Sequence, residues 1–140
     1  DTHVAVGILG RWRLSNEEVR RIKSAMQWYP VVTGANAKPW SVVQPVLVDR
    51  DIDAILLVAS AVITANHEDR SGYERCLQAL AWEPQRLDPR PLLTGDDLKA
   101  AGYQPGRQFK AALESVRAAQ LDGDVSSREQ AMSLAANYLE

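Results

Sequence analysis

Residues 52–65 read Ile-Asp-Ala-Ile-Leu-Leu-Val-Ala-Ser-Ala-Val-Ile-Thr-Ala, the most apolar stretch of the chain. It is 14 residues long and carries Asp53, Ser60 and Thr64. Crossing a bilayer takes about 20 apolar residues, so this stretch reads as a central core helix rather than a membrane span. The acids of Asp49-Arg50-Asp51 stand where the helix starts, and negative charge is favoured at that end. Ile55, Leu56, Val62 and Ile63 are the residues expected at the centre of the core.

Outward from this helix, the signals remain helical. Upstream, Ser15 and Glu18 form a capping box, and Val19, Ile22 and Met26 mark a buried face. Arg20, Arg21 and Lys23 fall on other faces. The pair Tyr29-Pro30 is expected to end that helix, because the residue before a proline avoids the α region. Residues 30–40 then read as a loop, Ser41 as the cap of a short helix, and Pro45 as a first-turn residue. Still earlier, Val4, Ile8, Leu9 and Trp12 repeat at helical spacing, interrupted by Gly7 and Gly10. Downstream, Ser71 with Glu74 suggests another capping box, opening a helix through Leu77 and Leu80 to Trp82.

Pro84, Pro89 and Pro91 interrupt residues 83–93, which makes that stretch the best internal boundary. Beyond it, Thr94 with Asp97 opens a short helix that Gly102 can close in the left-handed conformation. Pro105 suits the first turn of the next helix, whose apolar face is Phe109, Ala112, Leu113 and Val116. Asp122-Gly123 is a turn. Ser126 with Glu129 is a further capping box, followed by Ala131, Leu134, Ala135 and Tyr138. No stretch alternates as a strand would. The fold class expected is therefore all-α, with a helical body over 1–90, a helical tail over 91–140, and no sheet.

Hydrophobic residues make up 46 % of the 140, enough for a core without staples. Lys plus Arg number 16 and Asp plus Glu 18, a net charge of -2. That balance excludes a protein that coats nucleic acid indiscriminately, while leaving room for a local basic face. Cys76 is the one cysteine, so no internal disulfide forms, and its apolar helical setting reads as a buried thiol. No secretory leader is visible at Asp1-Thr2-His3-Val4. A cytoplasmic protein without a membrane partner is the expectation.

Several groupings invite a chemical reading. Asp49, Asp51 and Asp53 have the composition of a two-metal clamp, but no Gly-Ser turn precedes them to hold a triphosphate. Helix-start electrostatics accounts for them. His67-Glu68-Asp69 lacks the convergent ligands of a metal site, since His3 is the only other histidine. Asp122-Gly123-Asp124 lacks the closing Glu of a calcium loop. Trp12, Trp28, Trp40 and Trp82 are too scattered for a stacking platform. Arg107, Lys110, Glu114 and Arg117 share one face of the helix beginning near Pro105-Gly106. A helix start offers free amides and partial positive charge, so this face suits a phosphate. On the residues alone, a solvated face with an ion pair through Glu114 is the favoured reading. No metal site or catalytic residue is expected in this chain.

The same region carries an ordered string. Pro91-Leu92-Leu93-Thr94-Gly95-Asp96-Asp97-Leu98 is followed by Gly102, by Pro105-Gly106, by Ala119-Gln120-Leu121-Asp122-Gly123 and by Ser127-Arg128-Glu129-Gln130-Ala131. It resembles the C-terminal region of the bacterial tRNA nucleotidyltransferase and poly(A) polymerase family. Several anchors in one order are more specific than any single short motif. Arg13-Leu14-Ser15-Asn16 with Glu18 resembles the segment before that family's body helices, and the helix from Ile52 resembles a body helix. The resemblance implies a body and tail that grip tRNA or another structured RNA and place its 3′ end. It implies that Mg2+ and a nucleoside triphosphate belong to a catalytic head whose motifs are not found here, so this chain carries no cofactor. It points to Gly106, Arg107, Lys110 and Arg117 as RNA contacts, with Lys99 and Arg128 beside them. The stretch Ala25-Met26-Gln27-Trp28-Tyr29 departs from related chains, which often carry a histidine there for hydrolysis. The alternative is a helical interaction or self-association domain without an RNA role.

Overall fold

The computed structural model describes residues 14–139. The stripe of Val4, Ile8, Leu9 and Trp12 and the residues His3 and Arg13 lie outside them. Among the described residues there are eight α-helices, one short 3-10 turn and no strand, so the all-α expectation holds. None of these helices is long and apolar enough to cross a membrane. The chain forms two compact units. Of the described residues, unit 1 takes 14–38 and 45–82, and unit 2 takes 39–44 and 83–139. This partition differs from a single division at 90/91. The proline-rich stretch belongs with unit 2, and so does a short upstream segment.

In unit 1, helix α1 spans Asn16–Thr33. Its capping box forms as read: the Ser15 hydroxyl accepts the Glu18 amide at 3.2 Å, and the Glu18 carboxylate accepts the Ser15 amide at 2.7 Å. The helix does not end at Tyr29-Pro30. It runs through Pro30 and stops at Gly34, whose N–H returns to the carbonyls of Pro30 and Val32. A proline inside a helix costs about 3 kcal/mol. Val31 and Val32 lie just beyond it and are buried, and burying such side chains returns about 1.5–3 kcal/mol each. Residues 30–33 are accordingly helix rather than loop, and Ala35–Ala37 follows as the 3-10 turn.

Helix α2 spans Trp40–Leu47, and α3 spans Ile52–Asn66. Ser41 is not the cap of α2. The amides of Val42 and Val43 return to the Pro39 carbonyl, so Ser41 lies inside the first turn, and Pro45 falls beyond it. In α3 the buried residues are Ile55, Ala59 and Ile63, one ridge at i, i+4 and i+8, with α1 packed against the helix. Leu56 and Val62, expected at the centre, are half-buried because they flank that ridge.

Helix α4 spans Ser71–Leu80, short of Trp82, and buries Gly72, Cys76 and Ala79. It packs on α1, α3 and the 3-10 turn. The expected Ser71–Glu74 box does not form. Asp69 takes its place, accepting the Ser71 amide at 3.2 Å and bonding the Ser71 hydroxyl. A carboxylate is the stronger acceptor, and it lies two residues ahead of the helix start.

In unit 2, α5 is Pro84–Leu87, α6 Gly95–Ala100, α7 Arg107–Asp122 and α8 Arg128–Leu139. Leu93, Leu98, Phe109, Ala112, Val116, Val125, Ala131 and Ala135 form its core. The Thr94–Asp97 box is present. Gly102 takes a φ of +95°, with the Gly102 amide on Lys99 O and the Tyr103 amide on Leu98 O, which closes α6 as a Schellman turn. Pro105 lies outside α7, whose cap is Gly106. Gly123, at φ +85°, closes α7. The last capping pair is shifted one residue from Ser126–Glu129. The Ser127 hydroxyl accepts the Gln130 amide at 3.2 Å, and the Gln130 side chain accepts the Ser126 and Ser127 amides at 2.9 and 3.3 Å.

Candidate nucleic-acid interface

α7 opens at Gly106 with extended backbone (φ −169°, ψ −171°), and no side chain caps it. The Phe109 amide is the first to fold back, onto Gly106 O at 3.1 Å. Amides ahead of it have no partner within the helix. The space is open, since a Cβ placed on Gly106 would meet nothing within 4 Å. Phe109, Ala112 and Val116 turn into the core of unit 2, which holds the opposite side of the helix toward solvent.

Arg107 is exposed and makes no ion pair among the described residues. Lys110 stands 3.6 Å from Glu114 with both side chains largely exposed, and a surface pair of that kind contributes at most about 1 kcal/mol. Arg107, the amides at the Gly106 start and Lys110, which is shared with Glu114, form a small positive surface.

The other three basic residues singled out in the sequence have different surroundings. Arg117 is three-quarters buried. It donates to Pro89 O at 2.7 Å, to the Gln120 side chain at 3.1 Å and to Asp88 at 2.7 Å. Gln120 in turn donates to Arg90 O at 2.7 Å and accepts the Leu92 amide at 3.2 Å. Arg117 and Gln120 together stitch residues 88–92 onto α7. Lys99 pairs with Asp96 at 2.8 Å on the surface of α6. Arg128 pairs with Asp97. Asp97 also accepts the Thr94 hydroxyl and amide, which hold its carboxyl below the ordinary value, with Arg128 adding to the effect. Asp88 carried no signal in the sequence, because its partner lies 29 residues away.

The acids ahead of α3 are engaged too. Asp51 is buried, bonded by Arg20 and approached by Arg21 at 3.8 Å. The hydrogen bonds from Arg20 lower the Asp51 pKa. Asp49 accepts the Asp51 amide at 2.8 Å, and Asp53 pairs with Arg21 at 2.5 Å. Asp51 and Asp53 fasten α1 to α3. Among the described residues no three His, Cys, Asp or Glu side chains gather as metal ligands would. His67 closes α3 in the left-handed conformation at φ 54°, Glu68 accepts from the Asn66 side chain, and Asp69 accepts from Ser71 just ahead of α4. Burial pushes the Cys76 thiol up to about 11, which suits a core residue and not a nucleophile. Trp28, Trp40 and Trp82 are each half-buried. No family model matches this chain, and neither does a curated protein or a solved structure.

Proposed function

We propose that this chain is the RNA-gripping helical body and tail of a tRNA nucleotidyltransferase or poly(A) polymerase-like protein, working in the cytoplasm and without its catalytic head. The supporting observation is the open start of α7, where uncapped amides sit beside Arg107 and Lys110. Such a surface meets backbone phosphates and does not read bases. It therefore suits folded RNA recognised by shape. Nucleotide transfer to an RNA 3′ hydroxyl would reside in the head, with its metal ions and triphosphate. The test is a filter-binding titration of the chain with several folded tRNAs over a range of salt. Arg107→Ala with Lys110→Ala should weaken all of them about equally and flatten the salt dependence. An unchanged slope in the double variant, or no wild-type binding at low salt, rejects this reading.

One observation favours a second reading, self-association through unit 1. Leu57 is 72 % exposed and borders an apolar groove of about 290 Å3 between α1 and α3, lined also by Ile22, Met26, Ala54 and Val58. Sedimentation of the wild type against Leu57→Asp separates the two readings. A dimer abolished by the substitution, together with absent RNA binding, selects the second.

A further inference from the structure

We draw no further inference here: the strongest candidate, the apolar groove of unit 1 between α1 and α3 beside the exposed Leu57, carries only the self-association reading already given, since nothing in the structure shows what covers it.

Discussion

Gly72→Ala tests how closely α4 is seated in unit 1. A Cβ at this position would lie 2.5 Å from Thr33 O, 3.0 Å from Ala35 N and 3.1 Å from Val32 O. All three are backbone atoms at the end of α1 and in the turn after it, so no side chain can rotate away. α4 would have to back off by several tenths of an ångström, loosening Cys76 and Ala79 on the same buried face. Overpacking of this kind costs about 1–3 kcal/mol. Replacing a helical glycine returns at most about 1 kcal/mol. A 2.5 Å clash with backbone places the cost in the upper part of that range, about 2–3 kcal/mol, so the net loss is about 1–2 kcal/mol, and at roughly 3 °C per kcal/mol for a chain of this size Tm falls by about 3–6 °C. The control is Gly95→Ala at the first position of α6. There the nearest atoms would be Phe109 Cε1 at 3.6 Å and Leu113 Cδ1 at 3.9 Å, ordinary contacts made by side chains. That variant should be neutral or gain up to about 1 kcal/mol. Urea unfolding followed by far-ultraviolet circular dichroism compares the three proteins. A Gly72→Ala protein as stable as the wild type, or a Gly95→Ala protein equally damaged, refutes the reasoning.

Asp51→Asn should lower Tm at pH 7. The Asp51 carboxyl titrates below its unfolded value, so its contribution is present above that value, near pH 3.9, and is lost as pH falls through the depressed folded pKa. Calorimetry of both proteins from pH 7 to pH 2 should show the gap closing in acid. The Cys76 thiol, buried and raised to about 11, should resist a disulfide reagent at pH 8 in the native chain and react on unfolding, as thiol absorbance assays report. Arg117→Ala should lower Tm by removing the ties to Pro89, Asp88 and Gln120, whereas Arg107→Ala should leave Tm unchanged, since the exposed Arg107 side chain makes no ion pair or hydrogen bond among the described residues.

The sequence was most legible where the chemistry spans three or four residues. Ser15 with Glu18 and Thr94 with Asp97 announce their helices because cap and acceptor are set by local backbone geometry alone. Local reading fails where two neighbours compete for one role. Asp69 displaces Ser71, and Ser127 displaces Ser126, by differences of reach that a residue pattern does not contain. It also fails where burial overrides propensity: Pro30 is a helix breaker by its own chemistry, yet Val31 and Val32 carry α1 past it into the core. The ridge of Ile55 and Ile63 could be picked out, but Ala59 between them could not, because alanine looks alike on a buried and an exposed face. In the candidate site, Arg107 and Lys110 were visible as cations at a helix start. Whether Arg117 belongs with them depends on Asp88 and Pro89, contacts made only when residues 88–92 fold back on α7.

That distinction decides what a net charge of -2 means for the proposed RNA binding. Arg20 and Arg21 are engaged by Asp51, Asp53 and Glu17, Lys99 by Asp96, Arg117 by Asp88, and Arg128 by Asp97. Acids paired in this way do not repel a phosphate near Arg107 as free carboxylates would, and their basic partners do not attract it. What remains at the start of α7 is Arg107, a set of amides, and Lys110 with its looser 3.6 Å pair to Glu114, so about two phosphate contacts are available once Lys110 leaves Glu114. Each contact contributes slightly less than one unit to the logarithmic salt slope, giving a slope of about 1.5–2 and a loss of roughly tenfold in affinity between 50 and 200 mM salt. A measured slope of about 4 or more would require further cations to join. Arg117 takes part only if it leaves Asp88 and Pro89, and Arg117→Ala would then reduce the slope. If the slope stays near 2 and Arg117→Ala leaves it unchanged, the interface is confined to the Gly106 helix start.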